Sequence, residues 1–234
     1  MNFVKRAINL FHRSLRKQNE IYWGLVFNNA ISDSTWLKRK SFYPGRWAAG
    51  YPLLYILYRI YTDIKPKSIA EFGLGETTKL SAQYQQYYPE TFLTIFEQDA
   101  RWADFFCKEH HNVRKHLKIA PIEQINIHGR QSSTYKDFIT HLAGRKFDLF
   151  IVDGPHGNDF YSRYHIVEIA KQNIMDTDFI FVIDDYDRDG EKQTVGDLRD
   201  VFRSQGISFH ESVYSGDKDS LLICSPKYSF LTSL

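Results

Sequence analysis

Phe181-Val182-Ile183-Asp184-Asp185-Tyr186-Asp187 decides the reading, together with a second run of the same build, Phe147-Asp148-Leu149-Phe150-Ile151-Val152-Asp153-Gly154-Pro155. Each is a short apolar stretch of β-branched and aromatic residues that stops abruptly at aspartate. Such a run reads as a buried parallel strand, and the carboxyl edge of an open α/β sheet is where ligands collect. Two neighbouring strands then bring Asp153, Asp184 and Asp185 around one crevice. Three carboxylates that close repel each other unless a cation, a proton or a basic substrate group lies between them. A metal ion is the economical expectation.

Outward from these runs, strands and helices alternate. The patterning predicts strands near 68–72, 92–97, 115–120, 147–152 and 178–184, and helices near 77–88, 99–110, 133–143, 160–173 and 190–204. Alternation of this kind means a parallel sheet wrapped by helices. The end differs: Ile207 to Tyr214 and Ser220 to Cys224 flank Ser215-Gly216-Asp217-Lys218-Asp219, an antiparallel hairpin around a glycine turn. A parallel sheet finished by such a hairpin is the plan of the Rossmann-like methyltransferases, whereas nicotinamide-binding Rossmann domains stay parallel. Residues 1–65 read as a helical extension, with a turn at Phe42-Tyr43-Pro44-Gly45 and an apolar helix from about 46 to 63, and residues 66–234 as the main domain.

Ser68-Ile69-Ala70-Glu71-Phe72-Gly73-Leu74-Gly75-Glu76-Thr77-Thr78 runs from the first strand through two glycines into a helix. Glycine there lets the backbone turn tightly and approach a ligand closely. The third glycine expected of a pyrophosphate binder is missing, and Glu76 would repel a phosphate at the helix start. A cationic ligand such as S-adenosylmethionine suits Glu71 and an acidic turn better. Glu97 ends the next strand, and an acid there can accept both ribose hydroxyls. Glu71, Gly73, Gly75, Thr77 and Glu97 are thus the candidate cofactor residues. The bland alternatives are a helix cap for Glu71 and a solvated strand end for Glu97.

Composition bounds the rest. The chain has 234 residues, a formal net charge of +2, 15 Tyr, 18 Phe and 4 Trp. Its positive charge is not concentrated, which gives no case for a nucleic-acid partner. The aromatic excess reads first as core mass. Cys107 and Cys224 stand far apart in sequence, suggest no zinc site, and fit a reducing, cytoplasmic compartment. No run approaches the roughly 20 apolar residues that span a bilayer. Residues 1–18 are instead amphipathic: Phe3, Val4, Ala7, Ile8, Phe11 and Leu15 recur at helical spacing among Lys5, Arg6, Arg13, Arg16 and Lys17. Such a helix can lie peripherally on an anionic membrane surface, pack on its own domain, or join a homodimer.

Phe72-Gly73-Leu74-Gly75, Glu97-Gln98-Asp99-Ala100-Arg101-Trp102, Val152-Asp153-Gly154-Pro155-His156-Gly157 and Asp185-Tyr186-Asp187-Arg188-Asp189-Gly190-Glu191 resemble, in order and spacing, the successive motifs of the plant glucuronoxylan 4-O-methyltransferase family. The aspartates are also similar to those of the macrocin-type sugar O-methyltransferases and, more loosely, the catechol O-methyltransferases. The resemblance covers about residues 68 to 195. It implies a class I methyltransferase fold, S-adenosylmethionine as methyl donor, a sugar or glycan acceptor, and acids that bind a divalent cation. This chain departs from the plant family in having Asp184-Asp185 where the family has a histidine-aspartate pair.

A sugar hydroxyl is a poor nucleophile, so methyl transfer needs its proton removed or its oxygen held by a metal. Three aspartates suit a hard cation such as Mg²⁺ or Mn²⁺. The expected assignment makes Asp153 ligand and general base, Asp184 and Asp185 ligands, and His156 an alternative base. Arg163 and Arg188 flank the crevice and can bind a uronate carboxylate bidentately, while Trp47 and Tyr51 can cover the cofactor. The rival readings are a non-catalytic scaffolding protein of the same fold and a nicotinamide-dependent sugar oxidoreductase.

Overall fold

The strands of the sheet centre are apolar on both faces because helices cover both, and their register fixes where each one ends. In the computed structural model, which describes residues 3–45 and 47–234 and leaves the side chains of Phe3, Val4 and Asn9 outside that description, β1 (Ser68–Phe72) lies between β2 (Phe92–Glu97) and β6 (Phe147–Val152). Beyond them, β3 (Leu117–Ile119) edges β2, and β7 (Met175–Ile183) follows β6, all five running parallel. Phe72 pairs with both Phe96 and Val152, and Val152 with Ile183. Three chains therefore leave the sheet side by side, at Gly73, Asp153 and Asp184. The ladder continues one step further, Gly73 N donating to Phe96 O (2.9 Å), Asp153 N to Phe72 O (2.8 Å) and Asp184 N to Val152 O (3.0 Å).

The sheet closes with the expected hairpin, β8 (His210–Ser215) and β9 (Asp219–Cys224), β9 entering antiparallel to β7. The order β3-β2-β1-β6-β7-β9-β8 is that of the class I methyltransferase fold. Ile183 pairs with Leu221, so the β8–β9 turn returns to the edge that carries the aspartates.

The helices are α1 (Phe3–Ile31), α2 (Tyr51–Arg59), α3 (Glu76–Tyr87), α4 (Ala100–Glu109), α5 (Phe138–Leu142), α6 (His165–Lys171) and α7 (Asp189–Ser204). Aromatics supply much of the core mass, with Phe72 stacked on Phe96 (4.9 Å between centroids) and Phe150 on Phe181 (4.5 Å). Phe27, Ile31, Leu53 and Ile56 of the extension share one apolar cluster with Ile69 and Ile151 of the sheet, so residues 1–65 and 66–234 bury a common core.

Three local expectations change. Residues 133–143 are not one helix: β4 (Ile122–Ile127) and β5 (Arg130–Tyr135) form a separate antiparallel hairpin, and only Phe138–Leu142 is helical. His128 and Gly129 both adopt positive φ (49° and 79°), the requirement of a two-residue hairpin turn that right-twisted strands prefer. The helix expected over 160–173 starts only at His165, because Tyr161 and Arg163 sit at φ 47° and 60°. The helix expected from 46 starts at Tyr51, and Arg46 lies outside the described residues.

Candidate active site

A cleft of about 1510 Å³ opens at the carboxyl edge over β1 and β6, where the crossovers diverge to opposite sides of the sheet. Gly73, Gly75, Glu97, Trp102, Asp153, His156, Asp185 and Arg188 are among its lining residues.

The two glycines of the first turn have different physical reasons. Gly73 has φ 104°, and a Cβ there would stand 2.9 Å from both Asp153 C and Gly154 N. The backbone that needs its small size is the chain's own, the turn after β6, rather than a ligand. Gly75 is extended (φ −173°), and a Cβ on it would meet nothing within 4 Å. It is Gly75 that leaves room in the cleft.

Glu97 is buried and anchors both turns, Oε2 accepting from Leu74 N (3.1 Å) and Oε1 from Asp99 N (2.8 Å). Burial raises its pKa, against the pull of those backbone donors. Asp99 caps α4 through Arg101 N (2.8 Å) and Trp102 N (3.1 Å), and Trp102 Nε1 donates to Leu74 O (2.7 Å), fixing the indole as a wall of the cleft. Trp102 stands at the end of the Glu97–Trp102 motif, and its role as a wall comes from the three-dimensional turn, not from its local sequence. Trp47 lies at the mouth, 84% exposed, while Tyr51 packs away from the cleft against Phe27 and Gly24.

Glu71 and Thr77 are corrected. Both are fully buried behind the turn, with Thr77 Oγ1 (2.7 Å) and Thr78 Oγ1 (2.8 Å) donating to Glu71 Oε1. Burial pushes the Glu71 carboxyl up to about 7. These residues hold β1 to the start of α3 and do not line the cleft.

The aspartates do converge, one carboxylate oxygen from each of Asp153, Asp184 and Asp185 lying within 4.8 Å of the others. Their surroundings differ. Asp184 is fully buried and accepts from Ser220 Oγ (3.2 Å) and from Lys218 Nζ. Asp185, held at φ 58°, takes Arg163 (2.7 Å) and Arg188 (3.0 Å) on Oδ2 and Lys218 (3.2 Å) on Oδ1. Burial pushes Asp185 up, but Arg163, Lys218 and Arg188 outweigh it and hold the carboxyl below the ordinary range. Asp153 has only Arg163 NH2 at 3.9 Å. Burial first, then the charge of Asp184, raise its pKa well above the ordinary aspartate value, with Lys218 and Arg163 opposing.

Arg163 is also corrected. It is 3% exposed and donates to the carbonyls of Asp184 (2.7 Å) and Val152 (3.3 Å) besides its ion pair with Asp185. A guanidinium so enclosed is an interior counterion, not a receiver of substrate carboxylates. Both arginines border the cleft, but Arg188 is the one that reaches into it, with 40% of its side chain exposed against 3% for Arg163. His156 lines the cleft as expected.

A divalent cation meets a poor fit here. Lys218 supplies an ammonium to two of the three proposed ligands, and Arg163 and Arg188 occupy an oxygen of one of those two. The charge that the sequence left to a metal is supplied by side chains. Lys218 was missed in sequence, though the antiparallel last strand carried the signal: it must return the 215–219 turn to this edge.

Away from the cleft, Arg16 bonds Asp219 (3.3 Å) and Lys17 bonds Asp217 (2.5 Å), so two of the basic residues of α1 are spent inside the chain. The outer face carries exposed Ile8, Leu10, Phe11, Leu15, Ile21, Tyr22 and Leu25; Phe3 and Val4 of the same expectation have side chains outside the described residues. Cys107 and Cys224 are buried and free. No described helix is long and apolar enough to cross a membrane.

No protein-family model matches the chain, and no curated protein matches it. Solved structures similar to it include the O-methyltransferase TomG from Streptomyces achromogenes in complex with S-adenosylmethionine, at 16% identity over 96% of this chain and 99% of that one, with a TM-score of 0.48. The methyltransferase PaMTH1 from Podospora anserina, bound to S-adenosylhomocysteine, gives 14% over 96% and 97%, TM-score 0.47. An O-methyltransferase from Bacillus cereus gives 11% over 89% and 91%, TM-score 0.46. At these values the fold rests on the strand order itself.

Proposed function

We propose that this chain is an S-adenosylmethionine-dependent O-methyltransferase acting on a sugar or glycan hydroxyl, with acidic sugars favoured. The single observation that carries the reading is the convergence, in one cleft of a class I methyltransferase sheet, of an open glycine turn at Gly75, a buried acid at Glu97 and a lightly partnered acid at Asp153. Glu97 keeps acceptor capacity beyond its two backbone donors, which suits ribose hydroxyls. Trp102 offers an apolar wall for an adenine ring. The cofactor, when bound, supplies an electrophilic methyl group.

Asp153 has the proton-transfer role in this reading. A carboxylate whose pKa is raised by burial is a stronger base than an ordinary aspartate, and Asp153 faces the cleft with no other strong partner. It takes the acceptor hydroxyl's proton and becomes neutral. Lys218 and Arg163 pair with Asp184 and Asp185 beside it. Arg188 has exposed donors left after pairing with Asp185, enough to hold an acceptor carboxylate. Trp47 at the mouth and Trp102 in the wall exclude water once ligands fill the cleft. His156 remains the alternative base.

Calorimetry with S-adenosylmethionine and with NAD tests the cofactor. The first should bind and the second should not. Glu97→Ala should weaken binding by roughly 1.5–3 kcal/mol, the loss of charge-assisted hydrogen bonds. Binding of NAD alone would replace the reading with the oxidoreductase, and binding of neither would leave no methyltransferase to defend.

A further inference from the structure

We propose that Lys218 is the resident cation of the carboxylate cluster, so that the site works without a divalent metal, and that the N-terminal helix exists in part to hold Lys218 there. The inference concerns the cluster alone and stands whatever the cleft binds.

Charge is the first argument. Asp153, Asp184, Asp185 and Glu191 meet at this edge, and Lys218, Arg163 and Arg188 meet them there. Lys218 bonds Asp184 and reaches Asp185 at 3.2 Å, and Arg163 lies 3.7 Å from Glu191 and 3.9 Å from Asp153. Four acids against three cations leave one negative charge, so most of the cluster's charge is already offset by side chains. A divalent ion entering such a cluster faces three positive neighbours.

Geometry is the second. Mg²⁺ needs near-octahedral oxygen ligands about 2.0–2.1 Å away. Asp184 has both oxygens engaged, by Ser220 and Lys218, and Asp185 has Oδ2 taken by Arg163 and Arg188, while its Oδ1 accepts no hydrogen bond and lies 3.2 Å from the Lys218 ammonium. Among the three aspartates, only the Asp153 carboxylate and Asp185 Oδ1 accept no hydrogen bond, and the ammonium of Lys218 already stands beside the latter. A metal would first have to expel the ammonium of Lys218, whose side chain is 15% exposed.

The third argument is how the lysine is held. Lys218 sits in the β8–β9 turn, where Gly216 N donates to Lys218 O (2.9 Å). Glu20 of α1 accepts from Asp217 N (2.9 Å) through one oxygen and from Tyr51 N (2.7 Å) through the other. Arg16 adds a donation to Asp217 O (3.1 Å) and Lys17 an ion pair with Asp217. A Cβ on Gly216 would collide with the Glu20 carboxylate. The helix thus clamps the turn on both sides of Lys218, which is more fastening than an idle surface loop requires.

The test is Mn²⁺ binding to the full chain, read from the paramagnetic resonance signal of free Mn²⁺ and by calorimetry. Wild type should take up no Mn²⁺ at micromolar concentrations. Lys218→Ala should gain one site, with affinity raised by roughly a hundredfold or more when a unit positive charge leaves the ion's side, and Lys218→Ala/Asp184→Asn should lose it again. If Lys218→Ala is unfolded in chelator, circular dichroism should show Mn²⁺ restoring the fold. Stoichiometric micromolar binding to wild type overturns the proposal. So does a Lys218→Ala chain that neither binds Mn²⁺ nor is stabilised by it.

Discussion

Substituting alanine at each glycine of the first turn should give opposite results, because the two positions answer to different neighbours. At Gly73 the added methyl would stand 2.9 Å from Asp153 C and Gly154 N, and both are backbone atoms that no rotamer change can move. The residue also sits at φ 104°, where an L side chain is strained. Left-handed backbone costs roughly 1–2 kcal/mol and one excess methyl in a packed site roughly 1–3 kcal/mol. Gly73→Ala should therefore lose about 2–5 kcal/mol of stability. Gly75 is extended and its methyl would project into open space. Gly75→Ala should change stability by no more than about 0.5 kcal/mol, the usual range for a substitution that touches nothing, while weakening S-adenosylmethionine binding by occupying the cleft. Urea titration followed by tryptophan fluorescence gives the first pair of numbers, and calorimetry the second. A Gly73→Ala protein as stable as wild type would refute the assignment of that glycine to chain packing. Full cofactor affinity in Gly75→Ala would move the ligand off this turn.

Glu71 should make the fold sensitive to pH. Its folded pKa of about 7 exceeds the ordinary 4.5, so the stability it contributes is complete below about 4.5 and is lost as pH rises through about 7, some 3 kcal/mol in all; Glu71→Gln should flatten that slope in urea titrations, and an unaltered slope places its origin elsewhere. Arg163→Met should cost about 3–5 kcal/mol, as removal of one partner from a buried ion pair does, whereas Arg188→Met should leave stability nearly intact and lower the affinity for uronate-bearing acceptors over neutral ones. Equal stability losses at the two arginines would contradict the division between interior and cleft. For residues 1–18, anionic vesicles should fail to sediment the chain at physiological salt, since Arg16 and Lys17 are already paired; co-sedimentation abolished by deleting 1–18 would restore a membrane role. Sedimentation velocity should find self-association through the exposed apolar face of α1, which the shortened chain loses.

Local chemistry decided how much of this could be read from sequence. β1, β2 and β6 were legible to the residue because parallel strands buried on both faces must be apolar throughout and must stop where the chain meets the ligand edge. The closing hairpin was legible from its glycine turn. The β4–β5 hairpin was not: its turn is His128-Gly129 rather than Asn-Gly, and Ser132, Ser133 and Thr134 are buried without looking apolar. At the site, the convergence of Asp153, Asp184 and Asp185 followed from strand order alone. What neutralises them did not, because Lys218 comes from a turn that only the three-dimensional path of β9 returns to the same edge. Arg163 was misassigned for a related reason. A positive φ at residue 163 turns its side chain beneath the sheet edge, and nothing in its immediate sequence announces that.

These findings change what residues 1–65 are for. An amphipathic helix with basic residues reads, by itself, as a surface anchor. In the fold, the inner face of α1 carries Trp23 and Phe27 into the core and Glu20, Arg16 and Lys17 onto the 215–219 turn. Trp23 Nε1 donates to Ser215 O (3.1 Å), fixing the start of that turn as Glu20 fixes its middle. The turn presents Lys218 to Asp184 and Asp185, and Asp184 in turn raises the pKa of Asp153. A continuous chain of contacts therefore runs from the N-terminal helix to the proposed general base. Its electrostatic sense is consistent: Lys218 and Arg163 stand against the two deeper acids, and Asp153, facing the cleft, is the acid of the three without a close cation. Loosening the turn, for instance with Glu20→Gln, should release Lys218 from the cluster before it disturbs the sheet.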